Sequence, residues 1–166
     1  MNTSNPFIDL MMDLLDNAVL SWALVACGFA QLSKLFVELI KNKRFRIGVL
    51  FETGGMPSSH SALVTAAAAG VGLELGFDHS GFALASTIAF IVMYDASGIR
   101  RSAGLIASKL NQLPADLFPS ELGKDLKENL GHTRLEVLVG SLIGPLIALP
   151  GIVFLGSPIH LFHLIR

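Results

Sequence analysis

The run Leu135-Glu-Val-Leu-Val-Gly-Ser-Leu-Ile-Gly-Pro-Leu-Ile-Ala-Leu-Pro-Gly-Ile-Val-Phe-Leu-Gly156 contains one charged residue, Glu136. A helix needs about 20 apolar residues to cross the hydrocarbon core of a bilayer, and this run supplies them. Three more apolar runs precede it, at roughly 18–40, 61–77 and 82–97, and all are predicted as helices, because strand patterns are nearly absent. The second and third are short, so they must thin the bilayer or use flanking residues to span it. Composition agrees: 52% of the 166 residues are hydrophobic and 15% charged, with a mean hydropathy of +0.61, which is the bias of a chain built for lipid. The expected fold is all-α, a polytopic membrane helix bundle of about four spanning helices plus two short amphipathic surface helices. An acidic N-terminal segment covers 1–17, the membrane domain 18–156 and a tail 157–166.

Small residues should set how the helices meet. Ala66 to Ala69, Gly72-x-x-x-Gly76 and Gly140-x-x-x-Gly144 would let backbones approach closely. The first apolar run changes character after Ala30: Gln31, Lys34, Glu38 and Lys41 follow at helical spacing and form a polar stripe. Between the third and fourth runs, Ile99, Ala103, Ile106, Leu110 and Leu113 make an amphipathic helix ending at Pro114. A second surface helix is predicted from Pro119-Ser120-Glu121 to Gly131, with Leu122, Leu126 and Leu130 on one face.

Charge sets the expected topology. Lys41, Lys43, Arg44 and Arg46 lie in one connection, and Arg100, Arg101, Lys109, Lys124, Lys127 and Arg134 in another, whereas the 1–17 stretch and the 78–81 turn have no Lys or Arg. The positive-inside rule puts both basic connections in the cytoplasm of an integral membrane protein, whether in a bacterial plasma membrane or an organelle membrane. A net charge of −1 gives no basic field for nucleic acid. Cys27 is the single cysteine, so neither an intrachain disulfide nor a cysteine-rich metal site is expected. Residues 1–17 hold Asp9, Asp13 and Asp16 without a basic residue, unlike a secretory or transit signal.

The residues able to do chemistry sit at the helix mouths. Gly54-Gly55-Met56-Pro57-Ser58-Ser59-His60 is a loop running into a helix start. Ser58 or Ser59 can cap that helix, and free amides there form an anion pocket. His60, in the first turn, can give a proton to a leaving oxygen. His132 and Glu136 are four apart on one helix face, so the carboxylate can hold the imidazole for attack on phosphorus; Thr133 to Glu136 equally fits a capping box. Asp95-Ala-Ser-Gly-Ile-Arg100-Arg101 offers guanidinium groups that either anchor a helix end at the interface or grip a phosphate bidentately. Lys34 adds a fixed charge or pairs with Glu38. Such a cluster would neutralise a transferring phosphoryl group without a metal or other cofactor. His160 and His163 lack acidic or thiol partners and are read as interfacial groups, not ligands.

Lys34, Pro57-Ser58-Ser59-His60, a following arginine and His132 with an acid four residues on resemble the type-2 phosphatidic acid phosphatase and vanadium haloperoxidase superfamily. Gly-Gly-Met-Pro-Ser-Ser-His, Asp-x-x-Gly-x-Arg-Arg and Gly-His-x-x-x-Glu-Val resemble its divergent bacterial and plant membrane branch more closely, over about residues 20–156. The resemblance implies that His132 is a nucleophile forming a phosphohistidine, that Glu136 orients it and that His60 protonates the leaving alcohol. It further implies that Lys34, Ser58, the Ser59 amide and Arg100 or Arg101 bind phosphate oxygens, and that the substrate is a lipid phosphate or diphosphate. The chain departs from the superfamily pattern at Ser59, usually glycine, at Glu136, usually aspartate, at Leu126, where an arginine is usual, and at Lys41, where an arginine-proline pair is usual. The expectation is therefore a phosphatase-like membrane protein. The alternative is a non-catalytic membrane protein that keeps the pocket for a phosphate or headgroup. The sequence leaves the oligomeric state open.

Overall fold

The computed structural model describes residues 5–43, 45–51, 54–114 and 126–160, without the side chains of Asp9 and Phe51. Its helices are α1 (Pro6–Asp16), α2 (Ala18–Asn42), α3 (Ser59–Leu75), α4 (Ser80–Ser97), α5 (Ile99–Asn111) and α6 (Arg134–Leu155), with a short 3-10 turn at Ile47–Phe51. The described residues contain no strand, and the fold is the all-α membrane bundle that the apolar runs require. Local chemistry sets the helix starts. The Asn17 side chain accepts from the Leu20 amide at 2.8 Å to begin α2, and the His79 ring accepts from the Gly81 amide at 2.9 Å to begin α4. Each satisfies an amide that the first helical turn leaves open.

Among the described residues, three helical stretches are long and apolar enough to cross a membrane: Ala18–Asn42, Ser80–Asn111 and Arg134–Leu155. The 17-residue α3 is shorter, about 25 Å by helical rise. It nevertheless occupies the middle of the bundle, packed against α2, α4 and α6. Its buried positions are all small, among them Ala62, Ala66, Ala68, Gly70 and Gly72. The core gathers Ala23, Ala26, Ala66 and Ala148, flanked by Trp22, Leu63, Ala67 and Ile147. The large side chains point outward instead: Phe90 is 71% exposed and Leu146 72%. Lipid solvates such side chains as well as a core would, so bundle stability comes from close backbone approach.

On α6 the approach is extreme. A Cβ at Gly140 would collide with the Ser58 carbonyl, one at Gly144 with Thr65 and the Ala62 carbonyl, and one at Gly151 with the Trp22 ring. The Gly140-x-x-x-Gly144 spacing thus marks a true helix contact. The Gly72-x-x-x-Gly76 spacing does so at one position only: Gly72 lies under Phe77 and under Phe82 of α4, whereas Gly76 ends α3 with φ +100°.

Two further findings differ from the sequence reading. The 1–17 segment, expected only to be acidic, contains α1, started by Asn5 and Pro6. Of the second surface helix predicted at 119–131, residues 126–130 are not helical, and 115–125 lie outside the described residues. The physical reason is a competing clamp. Asn111 donates to the Leu126 carbonyl and accepts from the Leu126 amide, both at 2.8 Å, and its Nδ2 also reaches Glu128. The segment then lies across Gly104, where a Cβ would strike the Glu128 and Leu130 carbonyls. The first surface helix is present as α5, with Gly104 and Ala107 on its buried face and Ile99 and Ile106 exposed.

Helix order brings the C-terminal ends of α2 and α4 and the N-terminal ends of α3 and α6 to one end of the bundle. At the other end, Trp22 Nε1 donates to the Gly156 carbonyl at 2.8 Å, and the Ser157 hydroxyl meets Asp16 at 2.6 Å.

Candidate functional site

His132 lies in the loop ahead of α6, 4% exposed. Its amide donates to the Ala96 carbonyl at 2.9 Å, which seats the loop on the junction of α4 and α5. Gly131 makes this possible: its φ is +73°, and a Cβ there would run into Ala96, Arg100 and Arg101 backbone atoms. The ring Nδ1 stands 3.3 Å from Glu136 Oε2. That same oxygen accepts the Thr133 amide at 2.9 Å, while Thr133 Oγ1 accepts the Glu136 amide at 3.2 Å, completing a capping box. The carboxylate beside the ring and the helix cap, separate readings of the sequence, are thus one side chain. Burial and the nearby Lys34 charge push His132 below the ordinary imidazole pKa, opposed by its bonds to Glu136 and to the Gly55 backbone. Burial and the Lys34 charge both favour the neutral ring.

The α3 start is joined to the α6 start through the Ser58 amide, which donates to the Glu136 carbonyl at 3.0 Å. Ser58 is fully buried, and its hydroxyl accepts from the Ser61 amide at 3.3 Å and the Ser61 hydroxyl at 2.9 Å. It is a cap. Ser59 is also buried, whereas His60 is exposed in the first turn and lines a cavity of about 290 Å³ with Asp95, Arg100 and His132. A second cavity of about 300 Å³ lies against His132 and is lined by Gly54, Gly55, Arg101, Asn129 and Glu136. His132 therefore borders two cavities, one with His60 and Arg100, the other with Arg101.

Arg100 Nε donates to Asp95 Oδ2 at 2.6 Å. Lys34, on α2, is 3% exposed, and its charge reaches both His60 and His132. The structure thus brings His60, His132, Arg100 and Lys34 together, with Glu136 behind His132. Ser58 and Ser59 are buried beside this group and do not line the His60 cavity; Arg101 turns to the second one. Asp95 had been given no role by the sequence, although it opens the Asp-x-x-Gly-x-Arg-Arg motif; an acid five residues before an arginine across a helix break was the available signal. Glu38, a candidate partner for Lys34, stands 3.8 Å from Arg46. No group of three or more His, Cys, Asp or Glu able to hold a metal occurs among the described residues.

A helical membrane bundle with two histidines and fixed cations at one end defines the class. A family model described as the divergent PAP2 family matches residues 15–147, and the chain belongs to that family. It is 43% identical over 151 residues, 83% of this chain and 96% of the other, to the uncharacterized membrane protein YuiD of Bacillus subtilis (strain 168). No solved structure matches.

Proposed function

We propose that the chain is a membrane phosphatase that hydrolyses a lipid phosphate or diphosphate through a phosphohistidine at His132. The observation that carries the reading is the single cavity walled by His60, Arg100 and His132, with a carboxylate 3.3 Å from Nδ1 of the His132 ring. In the first step the ring nitrogen of His132 that does not face Glu136 attacks phosphorus, the bond from phosphorus to the leaving oxygen breaks, and protonated His60 gives that oxygen its proton. In the second, neutral His60 takes a proton from water, the water oxygen attacks phosphorus, and inorganic phosphate leaves as His132 is regenerated. Arg100 and Lys34 offset the charge on the phosphoryl oxygens. Arg101 and the Ser59 amide are assigned supporting contacts, and Ser58 holds the loop. By the positive-inside rule the site faces the cytoplasm.

The test is phosphate release from a panel of lipid phosphates and diphosphates by purified protein with a chelator present. Turnover should survive the chelator and fall by about a thousandfold or more in His132→Ala, since removing a nucleophile costs at least that much. No turnover on any substrate from a folded protein would sink the catalytic reading. A second reading, a phosphate or headgroup binder without turnover, is favoured by one contact: Arg100 is already paired with Asp95, so an anion has to share or displace that carboxylate.

A further inference from the structure

Beside the histidine site lies a groove of about 890 Å³ between α4 and α6. Both helices lean on α3 and scarcely touch each other. The gap left between them is walled by Phe90, Ile91 and Tyr94 from α4 and by Val137 and Leu138 from α6. Ile91 and Asp95 also line the smaller cavity that holds His60, Arg100 and His132, so the two spaces adjoin across these residues. The size falls within the roughly 300–1,000 Å³ of sites that enclose most of a small ligand. Along α4 the groove runs from Phe90 to Ser97, about 10 Å by helical rise, or a third of the hydrocarbon core. Its charged residues, Asp95 and Arg134, sit at the site end, and the rest is mostly apolar. Phe90, Ile91, Tyr94 and Leu138 are all more than half exposed, on helices of membrane-spanning length, so the groove opens sideways toward acyl chains and not toward water.

We infer that this groove is the binding site for the head-proximal part of a single hydrocarbon chain, belonging to the lipid whose phosphate occupies the His60, Arg100 and His132 cavity. The inference rests on the site reading above and adds how a lipid would enter it: phosphate at the cations, first third of the chain between α4 and α6, remainder in the bilayer. The two shared walls, Ile91 and Asp95, are what commit the groove to a phosphate-bearing chain. An ordinary annular lipid would have no reason to prefer it, because hydrocarbon against hydrocarbon gives little selectivity.

The experiment uses the full chain in phosphatidylcholine vesicles with hexadecyl phosphate carrying a photoreactive diazirine in the first third of its chain, beside the same probe ending in an uncharged hydroxyl. Mass spectrometry should find the phosphate probe attached at Ile91, Tyr94, Val137 or Leu138 at least tenfold above the alcohol probe. Labelling of Ile91 and Tyr94 should fall about tenfold in Leu138→Trp, which fills the groove. Equal labelling by both probes, or labels spread over the outward faces of α2 and α6, overturns the inference. Chelator-resistant turnover with scattered labels would remove the groove and leave the phosphatase. Phosphate-dependent groove labelling without turnover on any substrate would do the reverse.

Discussion

α6 shows two faces built on opposite rules. Gly140, Gly144, Ala148 and Gly151 turn inward and leave no room for a methyl group at the glycines. Leu138, Leu142 and Leu146 turn outward and are 55%, 57% and 72% exposed. The same helix is specified by smallness on one side and by bulk on the other. In water the bulky face would be the buried one; in lipid, bulk confers no advantage to burial, and what holds helices together is how near their backbones come. The seam between α3 and α6 is where specificity of fold resides, and the groove between α4 and α6 is where the fold leaves space.

That contrast can be broken most severely at the seam. Gly144→Leu places a branched side chain against Thr65 and the α3 backbone, and overpacking of this kind costs about 3 kcal/mol or more; unfolding in mixed micelles should show the loss or no folded protein at all. Survival of Gly144→Leu at wild-type stability would falsify the seam as the main contact. A smaller effect is expected where the seam meets the loop. Thr133→Ala removes the hydroxyl half of the capping box and should cost about 1 kcal/mol in the same assay. On the outward face Leu146→Ala should change stability by less than about 0.5 kcal/mol, and a larger loss would mean that another protein surface covers it. The contrast is sharpened by titration of His132, buried against the seam. Its folded-state pKa lies below that of the unfolded chain, so between the two values the unfolded state binds more protons. Its contribution is therefore intact above the ordinary imidazole pKa and lost as pH falls toward the folded value. Imidazole chemical shifts should place the midpoint below the ordinary value, and Lys34→Met should move it upward. A fall instead would show that Lys34 does not act on the ring.

The helices of the bundle were legible because lipid imposes long apolar runs, and Gly140 and Gly144 were legible because the fourth run already contained them. Other parts were decided by contacts that no local pattern carries. Leu122, Leu126 and Leu130 repeat at helical spacing, yet Asn111, fifteen residues upstream of Leu126, captures both backbone groups of that residue and draws the strap across Gly104. Gly72 and Gly76 share the spacing of a helix contact, yet only Gly72 meets a neighbouring helix and Gly76 ends its own. At the site, motif spacing singled out His60, His132 and Glu136. It did not separate Arg100 from Arg101, because which guanidinium faces His60 depends on the backbone break at Gly98 (φ −108°, ψ −86°), and Asp95 acquires its partner only across that break. Ser58 could be read as a phosphate ligand or as a cap, and in the structure it caps α3 from a fully buried position.

The bond between Asp16 and Ser157 fixes a parity. The chain enters α2 and leaves α6 at the same end of the bundle, which requires an even number of crossings, so the short α3 must count as one of four alongside the three longer stretches. Compartment-sensitive reporters fused beyond residue 16 on one side and residue 157 on the other should therefore give the same reading, and a reporter inserted near residue 112 the opposite one.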